Sequence, residues 1–175
     1  MDADTPTDAT DAIDEILEDL RVHFPDLEPV GLPVVGRVLR LARQLEQRRE
    51  VQLHDFGLTA ADFDVLATLR RKAYRSAINV RELQRSLMLS SGGMTKRLDR
   101  LEEKGLLQRD NDPNDRRGVL IALTAAGTDL IDRALRAVTD AESELVDDLL
   151  GEGNLRDQVA RGLRQLLVAQ ESTQS

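Results

Sequence analysis

The sequence predicts a mainly α-helical fold carrying one small β-hairpin. Three observations lead there. Apolar residues recur at i, i+3, i+4 spacing over most of the chain. Ser, Thr and Asn caps, with glycine stops, cut that pattern into separate helices. At one place only, Leu106 to Leu123, two short apolar-rich runs are divided by a polar turn segment.

A first helix is expected from about Asp8 to Val22. Ile13, Ile16, Leu17, Leu20 and Phe24 repeat at helical spacing, and Pro25 stops them. Pro29, Gly31 and Pro33 mark a linker. A second helix is expected from about Val34 to Leu53, with Val34, Val38, Leu41 and Leu45 on one side. After Gly57, Thr59 with Asp62 three residues on reads as a capping box for a helix through Lys72. Asn79 with Glu82 repeats the signal for a short helix bearing Leu83 and Leu87. Ser90 caps another, which ends at Gly105. The runs Leu106–Asp110 and Gly118–Leu123, separated by Asn111 to Arg117, form the hairpin. Thr124 caps a long helix to about Leu150, in which Ile131, Leu135, Val138, Leu145 and Leu149 lie close to a heptad seam. Beyond Gly151 and Gly153 a last helix carries Leu155, Val159, Leu163 and Leu166.

Composition narrows the function. Hydrophobic residues make up 41% of 175, enough for a core, but no apolar run approaches the roughly 20 residues of a membrane span. Arg37 and Arg40 break the nearest one, Leu32 to Ala42. Asp2 and Asp4 give the N-terminus the wrong sign for a secretion signal, so a cytoplasmic protein is expected. The absence of cysteine excludes disulfides, thiol nucleophiles and thiolate metal sites. His23 and His54 form no paired-histidine ligand motif and there is no Gly-rich phosphate loop. Neither an enzyme nor a metal or other cofactor is expected. The formal charge of −8 is unevenly spread. Residues 70–118 hold 13 Lys/Arg against 7 Asp/Glu, a local +6, and the remainder holds 11 against 25, or −14. A polyanion would meet the first segment and be repelled by the second.

Two short capped helices joined at Leu87-Met88-Leu89 make a helix-turn-helix, and the hairpin after it makes a wing. The second helix of the pair would enter the major groove of double-stranded DNA. Met94, Leu98 and Leu101 form its apolar stripe, with Lys96 opposite and Thr95 and Arg100 beside it. Ser90, Ser91 and Gly92 stand at its start, where free backbone N–H groups and a missing side chain favour close approach to phosphate. Arg116 and Arg117 sit at the wing tip, where an arginine can reach the minor groove, and Asp115 can hold the Arg117 guanidinium. Arg97 lies about 60° from the centre of the apolar stripe, so it leans inward and needs an acceptor. Asp64 is one candidate.

The motifs SSGGMTKRLDRLEEKGLLQR and DPNDRRGVLIALTAAG resemble the winged-helix core of the MarR family of transcription regulators, and the resemblance extends over about Gly57 to Leu150. It implies a homodimer held by N- and C-terminal helices, a pseudo-palindromic operator, and DNA affinity altered by a small ligand. Within the family, the extra N-terminal helix and the trio Asp64, Arg97 and Arg109 resemble the urate-responsive subgroup. That subgroup's ligand-contacting tryptophan has no counterpart, since the chain has no Trp, and Phe63 stands where a second is usual. The resemblance therefore implies an anionic metabolite, urate-like or a polycarboxylate, held by Asp64, Arg97 and Arg109. The expected organisation is an extra helix and first dimerisation helix in 1–54, a winged-helix DNA-binding domain in 55–123 and C-terminal dimerisation helices in 124–175. The expected function is a sequence-specific DNA-binding regulator, acting as a repressor. The alternative is a winged-helix protein-interaction module that binds no specific DNA.

Overall fold

The computed structural model describes residues 9–72, 78–87, 91–112, 118–151 and 153–173. The chain divides into two compact units, Met1–Val51 and Gln52–Ser175.

The first unit holds α1 (Ala12–His23) and most of α2 (Leu32–His54). Asp11, not a residue nearer Asp8, caps α1: its carboxylate accepts from the amides of Ile13 and Asp14, and Asp14 returns the bond to Asp11. The same carboxylate takes Arg37 Nε at 2.7 Å, and Asp14 takes Arg37 Nη2 at 2.6 Å. One arginine on α2 thus clamps the start of α1. Beside the clamp, Ile13 packs so closely over Gly36 that a Cβ there would lie 2.9 Å from its Cδ1. Pro33, read from sequence as part of a linker, falls in the first turn of α2. The amide it lacks would have had no intrahelical partner there.

The second unit contains α3 (Ala60–Lys72), β1 (Ile78–Asn79), α4 (Val80–Leu87), α5 (Ser91–Glu103), β2 (Leu107–Asn111), β3 (Val119–Leu123), α6 (Ala125–Leu150) and α7 (Asn154–Thr173). Thr59 and Asp62 close the expected capping box of α3, and Asn79 Oδ1 accepts from the Glu82 amide at 2.8 Å at the start of α4. Gly105, at φ +69°, supplies the left-handed residue after α5. The hairpin pairs Leu107 with Leu123 and Asn111 with Val119. It is not alone: Ile78 and Asn79 pair with Ile121 and Leu120, so the sheet order is β1-β3-β2 with β3 central.

The core of this unit gathers Leu53, Leu66, Leu83, Met94, Leu98, Leu101, Leu107, Ile121 and Ile131, all at most 2% exposed. Met94, Leu98 and Leu101 are the stripe expected of the second helix of the pair. The seam expected on α6 divides in two. Ile131 and Val138 are buried in this same core, whereas Leu149 is 65% exposed. Half of the seam is therefore intramolecular, because the first part of α6 packs across α3. Thr124 anchors that crossing: its hydroxyl donates to the Gly105 carbonyl and accepts from the Gly127 amide. Gly127 has no room for a side chain, since a Cβ there would stand 1.8 Å from the Leu106 carbonyl oxygen.

Candidate nucleic-acid interface

With Met94, Leu98 and Leu101 turned into the core, the opposite face of α5 is fixed outward. Thr95, Lys96 and Arg100 are exposed on it. Arg81 and Arg85 are exposed on α4, the preceding helix of the pair. Among the described residues Lys96, Arg81 and Arg85 have no acid partner, whereas Arg70 is bound to Asp132 and Lys72 to Glu82. The two helices that the sequence assigns to DNA thus each present exposed cations that no acid neutralises among the described residues. Ser91 and Gly92 open α5, but their side chains lie outside the described residues, as do Ser90 and the wing-tip residues Asp115, Arg116 and Arg117. The strands leading to that tip are in register as far as Asp112, whose amide donates to the Gly118 carbonyl at 2.9 Å.

Arg100 is not a free surface arginine. Its Nη2 donates to Oδ1 of Asp62, a carboxylate only 1% exposed, while the Arg100 side chain remains 46% exposed. Arg97 leans inward as its position on the helix requires, with its side chain 21% exposed, and its Nε lies 3.7 Å from the same Asp62 oxygen. Arg97 Nε and Nη1 are buried and have no hydrogen-bond partner among the described residues. The acid beside Arg97 is therefore Asp62 and not Asp64. Two residues apart on α3, the two carboxylates point about 200° apart round the helix, and Asp64 is half-buried.

Arg109, on β2, meets the other flank of α5. Its Nη1 lies 2.7 Å from Asp99 Oδ1 and 2.8 Å from Glu102 Oε2. Asp99 and Glu102 are three residues apart on one face of the helix. The structure accordingly places Arg97 and Arg109 against different acids on opposite edges of the recognition helix and ties the wing strand to that helix through Arg109. Sequence reasoning identified neither Asp99 nor Glu102 as its partners, and it read Asp62 only as a cap. The i, i+3 spacing of the two acids was the available signal.

Among the described residues no group of His, Asp and Glu could hold a metal ion, and no helix is long and apolar enough to cross a membrane. A shallow depression of about 610 Å³ on α1 is lined by Asp14, Glu15, Glu18 and Asp19 with Arg21. It is acidic and contains neither Arg97 nor Arg109.

A model of the MarR family matches residues 58–119, from just before α3 to the first residue of β3. The chain is 33% identical over 134 residues to the HTH-type transcriptional regulator PecS of Dickeya dadantii, covering 77% of this chain and 81% of that protein. It is 34% identical over 131 residues to the multiple antibiotic resistance protein MarR of Escherichia coli, covering 72% and 83%. A crystal structure of a MarR variant from E. coli complexed with operator DNA superposes with a TM-score of 0.67 at 28% identity, over 81% of this chain and 99% of that one. These relatives are named as regulators, not as enzymes.

Proposed function

The chain belongs to the MarR family of DNA-binding transcription regulators, and from that premise we propose that it acts as a homodimeric repressor whose hold on a pseudo-palindromic operator is loosened by a small anion. The observation that carries the DNA half of this reading is the outward face of α5. Its Lys96 is exposed and without an acid partner among the described residues, and Arg81 and Arg85 extend the positive surface onto α4. Such cations displace the counterions of phosphate, and a helix in the major groove reads base edges. In this reading Ser90, Ser91, Gly92, Thr95, Lys96, Arg100, Arg116 and Arg117 contact DNA, and Asp115 supports the wing.

The homodimer is supported by apolar side chains that one chain leaves in water. Val34, Val38, Leu41 and Leu45 on α2 are 39–51% exposed, and Leu155, Val159, Leu163 and Leu166 on α7 are 37–51% exposed. Runs of this length on a soluble chain mark a surface that a partner covers. The ligand half is supported by two buried nitrogens of Arg97 that have no hydrogen-bond partner among the described residues, which an oxyanion would satisfy by charge-assisted hydrogen bonds. Asp64, Arg97 and Arg109 are its proposed residues. Because Arg97 and Arg109 flank α5 on opposite sides, an anion that engaged both would have to draw Arg109 from Asp99 and Glu102 and shift the helix. It would release DNA only if it bound the DNA-incompetent arrangement more tightly.

The test is a mobility-shift titration with duplex selected from a random pool, run at two salt concentrations. A DNA binder weakens steeply as salt rises, and a salt-independent or absent shift would contradict the function. Urate and small polycarboxylates are then titrated onto the complex of wild type and of Arg97→Ala. Release from wild type with resistance in the variant is expected. Equal release from both would remove Arg97 from the sensor.

A further inference from the structure

Asp62 uses its two carboxylate oxygens for different purposes. Oδ2 accepts from the Thr59 amide at 3.3 Å and closes the capping box of α3. Oδ1 accepts from Arg100 Nη2 and faces Arg97 Nε at 3.7 Å. Capping alone requires neither the burial nor the second helix. Asp14, in the same position of the α1 box, accepts from the Asp11 amide with its side chain 37% exposed. Asp62, at 1% exposure, is instead fixed between α3 and the recognition helix. One carboxylate serves two guanidinium groups there, so the cluster keeps a formal charge of +1.

A guanidinium has five N–H donors, and the bond to Asp62 engages only one end of the fork in Arg100. The rest of that side chain is exposed about 40° round the helix from Lys96. We propose that Asp62 is a positioning residue for operator reading: it fixes the Arg100 guanidinium in one orientation on the DNA-facing side of α5 and offsets its charge. An arginine free to swing attracts any phosphate. One held by a buried acid contributes little to indiscriminate binding and is preorganised for a single acceptor geometry. Asp62 thereby raises discrimination between sequences at the expense of general affinity. This rests on the reading of Arg100 as a DNA-facing residue.

The experiment uses the full chain and two probes of equal length, a duplex selected from a random pool and an unselected random-sequence duplex, each titrated with NaCl. Asp62→Asn keeps an oxygen for the cap and removes the charge. It is expected to bind the random duplex more tightly and to steepen the logarithmic salt slope by about 0.9, the equivalent of one added phosphate contact. The preference for selected over random duplex is expected to fall about fivefold or more, the size of one base-reading contact. With Arg100→Ala already present, Asp62→Asn should leave the slope unchanged. Thr59→Ala, which breaks the same box from its other side, should lower Tm while leaving slope and preference at wild-type values. If Asp62→Asn lowers Tm as Thr59→Ala does but moves neither slope nor preference, Asp62 is only a cap and the proposal is overturned. Steepening that persists in Arg100→Ala overturns it equally. Should Asp62→Asn not fold, Arg100→Lys carries the test, since it keeps the charge and loses the fork. A several-fold loss of preference supports the proposal and an unchanged preference overturns it. A wild type that selects no duplex at all would overturn the function itself, and the proposal with it.

Discussion

Two neighbouring cations on α5 should respond differently to truncation, because their surroundings differ. Lys96 is exposed and touches no acid among the described residues, so Lys96→Ala should change stability by no more than about 0.5 kcal/mol. The same change should weaken operator binding by roughly 1–3 kcal/mol. Arg100→Ala should also weaken binding, but it leaves the buried Asp62 carboxylate with Arg97 alone, at 3.7 Å. An abandoned buried acceptor costs about 1–3 kcal/mol, so Arg100→Ala should lower stability as well. Urea unfolding beside a DNA titration separates the two. A stable Arg100→Ala chain would show that Asp62 is satisfied without it. Among the described glycines Gly127 has the least room for a side chain. Any side chain there would collide with the Leu106 carbonyl, and overpacking against backbone costs typically 1–3 kcal/mol or more. Gly127→Ala should therefore depress Tm by several degrees, although alanine is the better helix former. An unchanged Tm would mean that the start of α6 can move away from β2.

At the scale of elements, the attachment of α1 to α2 should depend on pH. Asp11 is held at about 2, against an ordinary 3.8, first by its hydrogen bond from Arg37 and further by the amides of Ile13 and Asp14. A carboxylate whose folded value is depressed stabilises the contact at every pH above its unfolded value, and that stabilisation is lost as pH falls through the folded value. The clamp should accordingly be intact at neutral pH and weaken between about pH 4 and pH 2. A carboxyl-detected NMR titration reads this directly. Arg37→Ala should return Asp11 toward its ordinary value, and an Asp11 still near 2 in that variant would place the cause in the amides instead. The long helix α6 divides by contrast into two energetic halves. Ile131 and Val138 are buried with α3, whereas Leu149 is exposed. Ile131→Ala should destabilise the second unit by about 2–5 kcal/mol. Leu149→Ala should leave that unit's stability within about 0.5 kcal/mol. Equal losses at both positions would mean that the whole seam is buried within the chain.

For the whole molecule, the proposed dimer has a direct test. Leu163 on α7 is 49% exposed within one chain, so an aspartate there meets water in a monomer and an apolar partner in a dimer. Leu163→Asp should therefore sediment as a monomer at micromolar concentration with its helical circular dichroism intact. A variant that remained dimeric would remove α7 from the interface. The monomer should also lose most of its operator affinity, since two recognition helices related by a dyad address half-sites about one helical turn apart, ~10 bp. The net charge of −8 is no obstacle to such binding, because residues 70–118 carry a surplus of cations while the acids lie mostly outside that segment.

What the sequence by itself determined is whatever depends on neighbours along the chain. The capping box of α3, the cap at Asn79, the left-handed stop at Gly105 and the stripe Met94, Leu98 and Leu101 all involve partners within one or two turns. Their residue types alone indicate the geometry. The recognition helix, its outward Lys96 and its inward Arg97 could be read from a helical wheel for the same reason. Tertiary structure decided everything that needs a distant partner. Strand β1 is two residues long, too short for any periodicity, and exists because Ile78 and Asn79 meet β3 some forty residues on. The seam on α6 reads the same whether the covering surface is α3 or a second chain, and only packing shows that Ile131 and Val138 face α3. Asp62 and Asp64 are chemically identical, and local pattern cannot choose between them as the acid beside Arg97. The choice falls to Asp62 because α5 crosses α3 on the side where Asp62 points, and the crossing is set by the core that the two helices share.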